Sequence, residues 1–268
     1  LSEIADGSEK LRRFNLASKI QSFYIMNSLH GNFNRVLDLC AGDGEITVKL
    51  SKISVVVYAL DNDPVRVNRI DNLVKINNID NVKINCCSAT NLPYKSNTFD
   101  LIVCNSALEH IKDYKKVISE IHRVLNPGGV LILTVPNSEI QFGKRFNKFW
   151  TFILNLPIQI KKGICRNLEL VQKNDILLVQ KYYDIFFKHE ISFTEEKLIS
   201  DLKDSFEINK VLYYMNYIGA LGHDATYYFK WGKQKILLYL NLLVCYAEYF
   251  LFKNSKGKGI LMICLCRK

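Results

Sequence analysis

Asp38, Gly42, Gly44 and Asp61 carry the first chemical signal in this chain. A glycine turn that feeds a helix leaves free backbone N–H groups at the helix start. An acid about 20 residues further on, at the tip of the next strand, is placed to accept both hydroxyls of a ribose. The pattern reads as a nucleoside site. Asp38, just ahead of the turn, adds a second carboxylate, which would repel a diphosphate and favour a cationic amino-acid moiety. Thr47 stands where the fingerprint G-x-G-x-x-G places its last glycine. Both features favour S-adenosylmethionine over NAD.

The elements that must position these residues follow from the apolar spacing. Residues 35–39 form an apolar run too short for a helix and are predicted as strand 1, stopped at the turn 41–44. Ile46, Val48, Leu50 and Ile53 fit a short helix, and 54–60 is a β-branched strand ending at Asp61. Pro64 suits the first turn of a helix whose buried stripe is Val65, Val67, Ile70, Leu73, Val74 and Ile76. Further strands are predicted over 82–87, 101–105 and 130–135, with a helix over 114–125 and Pro136 ending the last of these strands. Alternating strands and helices imply a parallel sheet wrapped on both faces.

On these residues the chain resembles the class I S-adenosylmethionine-dependent methyltransferases of the small type 11 group. The family's first motif, D-x-G-x-G-x-G, is matched by Asp38, Gly42 and Gly44, with Cys40 in place of the first glycine. Cys or Ala at that position occurs in quinone-pathway relatives. The acid after strand 2 maps to Asp61, followed by Asn62-Asp63-Pro64. The third motif is Cys87-Ser88-Ala89-Thr90-Asn91-Leu92-Pro93-Tyr94, where Ser88 replaces the aspartate that meets the adenine amino group. The fourth runs from Asn97 to Val103 and on to Ala107-Leu108-Glu109-His110. Arg123-Val124-Leu125-Asn126-Pro127-Gly128-Gly129 resembles the family's L-k-P-G-G turn.

The resemblance implies a Rossmann-like, doubly wound α/β fold. Its sheet would be seven-stranded and mostly parallel with an antiparallel last strand, with helical lid insertions after strand 5 and between strands 6 and 7. It implies S-adenosyl-L-methionine as cofactor, held by Asp38, Cys40, Gly42, Gly44, Asp61, Asn62, Ser88, Ala89 and Asn105. One domain is expected over 1–268. It would comprise an N-terminal helix to residue 31, a cofactor core over 32–136, a lid over 137–190 and a C-terminal part over 191–268. Within that part, Thr194 is expected to cap a helix, with strands over 206–214 and 260–266. About 45 residues separate these strands, where the family has a short hairpin.

Composition narrows the partners. A net charge of +10 invites nucleic acid, but the basic residues are interspersed with acids, and the reading is a solvated basic surface. Asn105-Ser106-Ala107-Leu108 lacks the N-P-P-Y of amino-directed enzymes, and Cys104 has no proline beside it, unlike the cysteine nucleophile of carbon-5 cytosine enzymes. The expected acceptor is therefore a small or lipid-linked molecule methylated on oxygen or carbon. RNA or protein methylation and an inactive cofactor-binding relative stand as alternatives. The cysteines show no C-x-x-C pair, so Cys40, Cys86, Cys104, Cys264 and Cys266 are expected as buried, reduced thiols, and no metal site is expected. With no charged-then-apolar leader, the expectation is cytoplasmic.

A reactive sulfonium needs a general base only when the acceptor is a hydroxyl or an acidic carbon. His110, after strand 4, and His189, at the lid's return, are the candidates. The mixed basic and aromatic segment 137–189 is expected to cover the site. The stretch 236–252 is almost wholly apolar and reads as a helix too short to span a bilayer. Lysines flank it, so peripheral membrane contact is one expected role; burial on the domain or in a homodimer interface is another.

Overall fold

The computed structural model describes residues 21–139, 190–214 and 261–268, with Leu243 and Ala247 of a helix. The chain divides into two compact units. One is made of 21–137, 189–213 and 261–268; the other is made of 1–20, 138–188 and 214–260 and lies largely outside the described residues. Most of the lid expected over 137–190 and the apolar helix expected over 236–252 fall there, and of these stretches only 137–139, 190, 243 and 247 are described. Leu243 and Ala247 are helical and exposed. No helix among the described residues is long and apolar enough to cross a membrane.

The first unit is built on a seven-stranded sheet of order β3-β2-β1-β4-β5-β7-β6. Its strands are β1 (Phe33–Leu39), β2 (Ser54–Asp61), β3 (Val82–Cys86), β4 (Phe99–Asn105), β5 (Leu125–Pro136), β6 (Glu207–Tyr214) and β7 (Leu261–Arg267). The pairs β1–β2, β1–β4, β2–β3 and β4–β5 are parallel, and β7 runs antiparallel to β5. Val36, Leu37 and Leu39 of β1 are all fully buried, as a central parallel strand covered on both faces requires. The strand order reverses between β1 and β4, so ligands are expected outside the carboxyl ends of these two strands.

The helices are α1 (Glu45–Leu50), α2 (Pro64–Ile76), α3 (Tyr114–Val124) and α4 (Glu195–Leu202). Proline opens α2 as expected, and Asp63 caps it by accepting from the Val65 N–H at 2.9 Å. The expected apolar stripe of α2 is narrower than its sequence. Ile70 and Val74, one turn apart, are buried, whereas Val65 and Ile76 face solvent because they lie well round the helix from that pair. In α3 the positions Tyr114, Val117, Ile118, Ile121 and Val124 recur at helical spacing and all are buried. Thr194 caps α4 through the Lys197 N–H at 3.1 Å. Lys197 and Asp201 of that helix bind the Tyr114 hydroxyl at 2.6 and 2.8 Å, which ties α4 to α3.

Two expectations are corrected. β5 begins at Leu125 rather than Val130, because Leu125 pairs with Phe99 of β4 ahead of a register shift and the glycine turn is drawn into the ladder: Gly128 N donates to Lys268 O and Lys268 N to Gly129 O. Cys86 is exposed and Cys40 only half-buried, while Cys104, Cys264 and Cys266 are buried as expected. Cys86 lies on β3, an edge strand with one neighbour, so burial from the sheet reaches it from one side.

Candidate functional site at the carboxyl ends of β1, β2 and β4

Asp38 enters the site from the penultimate position of β1 and is 1% exposed. Thr47, one turn into α1, donates its hydroxyl hydrogen to Asp38 Oδ2 at 2.6 Å. Burial pushes the Asp38 carboxyl up to about 7; the Thr47 hydroxyl holds it back and the Asp61 charge adds to the rise. Asp38 is thus poised to ionise when a cation arrives. The residue at the fingerprint's third-glycine position therefore has a role of its own, which its type alone did not disclose.

The turn between β1 and α1 takes three left-handed residues: Cys40 at φ +58°, Gly42 at +59° and Gly44 at +82°. Cys40 adopts the conformation that the family's first glycine would adopt, at the steric cost of a Cβ. Interaction with Cys40, together with burial, holds the thiol of Cys104 on β4 well above the usual range. A Cβ added at Gly44 would meet Ile70 Cγ1 at 3.1 Å, so glycine there lets α1 start against α2. A Cβ at Gly42 would meet nothing nearer than Arg66 at 3.9 Å. The space above Gly42 is open to a ligand.

Asp61 closes β2 and is 2% exposed. Its Oδ2 accepts from the Gly42 N–H at 2.9 Å and its Oδ1 from the Asp63 N–H at 3.0 Å. One carboxylate thus fixes the glycine turn and the start of α2, and each oxygen keeps lone-pair capacity for a further donor. Asn62 beside it is exposed. Ser88 is also exposed and accepts from the Thr90 N–H at 3.2 Å in a local turn, its hydroxyl 2.9 Å from that of Thr90. Ala89 is buried behind it. Arg123 holds this loop from α3 through the carbonyls of Leu92 and Tyr94 and through Glu120.

Asn105, at the end of β4, has both ends of its amide engaged. It donates to Gln21 Oε1 at 3.0 Å and accepts from the Thr134 hydroxyl at 2.7 Å. Gln21 also donates to Ser106 at 3.3 Å. Residue 21 opens the described part of a helix running to 27, which is further tied to α1 by hydrogen bonds from Ser22 to Glu45 and from Lys49 to Ser22. Glycine-turn spacing gave no sign of Gln21. His110 is half-exposed, with Nε2 4.0 Å from Glu109 Oε1. His189 lies outside the described residues.

The arrangement brings Asp38, Cys40, Gly42, Gly44 and Asp61 together at one end of the sheet. A buried carboxyl poised near neutrality, a bare glycine and a strand-tip carboxylate suit a ligand with a cationic end and a diol. This sheet order and site define the class I, S-adenosylmethionine-dependent methyltransferases. Residues 37–133 match the family described as Methyltransferase domain, and the segment is such a domain. S-adenosyl-L-methionine is the cofactor of that class.

Among curated proteins, the chain is similar to a demethylmenaquinone methyltransferase of Geobacillus stearothermophilus. The two are 29% identical over 46% of this chain and 54% of the relative. A ubiquinone/menaquinone biosynthesis C-methyltransferase UbiE of Marinomonas sp. is 34% identical over 40% of this chain and 45% of its own. The chain spans about half the length of the curated relatives it matches. Among solved structures, a putative methyltransferase of Bacillus halodurans superposes with TM-score 0.56 at 17% identity, covering 94% of this chain and 99% of its own. A putative sarcosine dimethylglycine methyltransferase of Galdieria sulphuraria gives 0.56 at 19%, covering 96% and 85%. At such identities the structures establish the fold.

Proposed function

We propose that this chain transfers the methyl group of S-adenosylmethionine to a small quinone-type acceptor. The observation that carries the cofactor half is Asp61, whose two oxygens bind the Gly42 and Asp63 N–H groups at the open glycine turn. In this reading Asp61 and Asn62 receive the ribose, Asp38, Cys40, Gly42 and Gly44 the methionine end, and Ser88 and Ala89 the adenine. Asn105 acts at the methyl-donor end by holding Gln21 and Thr134. The names of two curated relatives, a demethylmenaquinone methyltransferase and a ubiquinone/menaquinone biosynthesis C-methyltransferase, support the acceptor half. His110 and His189 are the proposed proton-handling histidines. An apolar acceptor also gives the stretch 236–252 a reason to touch a membrane surface, while a homodimer interface is the competing use of that stretch.

Calorimetry with S-adenosylhomocysteine tests the cofactor half; tighter binding of NAD would sink it. Labelled cofactor incubated with fractionated lysate tests the rest, with label expected in an organic-extractable product. Label in RNA, DNA or protein would overturn the acceptor assignment. Flotation with anionic vesicles tests the membrane contact, since basic flanks contribute about 1 kcal/mol per Lys or Arg near such a surface.

A further inference from the structure

Glu109 is a third buried acid among the described residues, and the cofactor reading makes no use of it. It sits in the 3-10 turn Leu108–His110 directly after β4. Its side chain is 2% exposed, yet Oε2 has no hydrogen-bond partner among the described residues. A buried carboxyl oxygen left unpaired has lost its hydration with nothing in return, so such a group calls for a reason. The neighbouring network of Gln21, Asn105, Ser106 and Thr134 is well paired, which sets the Glu109 oxygen apart from its surroundings.

The place of this carboxyl fits an acceptor site. The turn follows the carboxyl end of β4, the side on which a sheet of this winding binds its ligands. Its backbone is pinned: Glu109 O accepts from the Ile191 N–H at 3.1 Å, and His110 N donates to Ala107 O at 3.0 Å. Ile191 belongs to the segment that rejoins the sheet at the bridge between Asn137 and Phe193. Among the described residues, the titratable groups facing Glu109 are His110 in its own turn, Nε2 4.0 Å from Oε1, and the Cys104 thiol of β4, which feels the Glu109 charge. The Cys104 thiol is also raised by Cys40 of the glycine turn, so Glu109 and that turn act on the same thiol.

We infer that Glu109 is a catalytic residue whose free oxygen takes the proton of the acceptor's hydroxyl, the acceptor being a phenolic or enolic small molecule. The inference rests on the methyltransferase reading above. The acceptor O–H bond breaks and its proton goes to Glu109. The electron pair left on oxygen, or delocalised to the conjugated carbon, forms the bond to the methyl carbon. The sulfur–methyl bond breaks, and its pair stays on sulfur, giving neutral S-adenosylhomocysteine. On the carbon route the ring carbon then loses its own proton to water. Burial pushes the Glu109 carboxyl up to about 8, its own backbone N–H pulling the other way, so turnover should rise with pH as the ionised fraction grows.

The test compares wild type, Glu109→Gln and Glu109→Asp, with 1,4-dihydroxynaphthalene as acceptor probe and labelled cofactor. All three should bind S-adenosylhomocysteine with closely similar affinity. The Gln variant should lose about 100-fold or more in kcat and its alkaline limb near pH 8, while the Asp variant keeps the limb at reduced rate. Wild-type kcat or an unchanged limb in the Gln variant overturns the inference, and so does absence of probe methylation by cofactor-bound wild type. If the Gln variant does not bind cofactor, an Asp variant with wild-type kcat overturns it. Failure of wild type to bind S-adenosylhomocysteine would instead sink the methyltransferase reading.

Discussion

Thr47 and Asp38 meet at 2.6 Å inside the first βα unit, one hydroxyl holding a carboxyl that burial has pushed up to about 7. Thr47→Val removes that donor and leaves Asp38 harder to ionise. Cofactor affinity is expected to fall at pH 7 and to recover partly at pH 8.5, as read by calorimetry with S-adenosylhomocysteine. The free protein should lose about 1–3 kcal/mol in urea denaturation.

Asp38 also shapes stability against pH. Its folded carboxyl titrates near 7 against an ordinary 3.8, so between these values the folded state binds more protons than the unfolded one. Stability contributed by this group is therefore full below about pH 4 and falls as pH rises to about 7, by roughly 4 kcal/mol at most. Asp38→Asn should remove this slope and make the ligand-free protein more stable at pH 8, while weakening cofactor binding. Urea titrations at several pH values check the first effect and calorimetry the second.

Asp61→Ala removes both backbone anchors and the proposed ribose contact. Charge-assisted hydrogen bonds of this kind contribute about 1.5–3 kcal/mol, so cofactor affinity should drop about 10- to 150-fold. Equal affinity in wild type and variant would exclude the ribose role.

Cys40 holds a left-handed conformation that costs a non-glycine residue about 1–2 kcal/mol. Cys40→Gly should therefore bind cofactor and retain most of the stability, whereas Cys40→Ala keeps the strain and loses the thiol. Denaturation of the two variants should rank glycine above alanine.

Gln21 binds both Asn105 and Ser106 from the leading helix. Gln21→Ala should speed amide exchange over residues 21–27 and raise the cofactor off-rate, with β1 and β4 exchange unchanged. Exchange mass spectrometry and stopped-flow release are the readouts.

The sequence by itself determined the winding and the placing of Asp38, Gly42, Gly44 and Asp61 at one end of the sheet. Val36, Leu37 and Leu39 must be buried on both faces, Pro64 must open a helix, and the turn around Gly42 and Gly44 must join β1 to α1, because these are local consequences of side-chain size and backbone freedom. Asp61 at a strand tip was legible for the same reason. Local rules could not reach relationships between residues far apart in the chain or dependent on what covers them. The start of β5 at Leu125 depends on Phe99 of β4 pairing with it across a register shift, and on Lys268 supplying backbone partners to Gly128 and Gly129. The engagement of Asn105 depends on Gln21, 84 residues away. The state of Asp38 and the unpaired oxygen of Glu109 are set by burial, which is a property of the assembled sheet and its covering elements. Spacing places a carboxyl on a strand or turn; only packing decides whether water, a hydroxyl or nothing stands beside it, and hence whether it carries a charge.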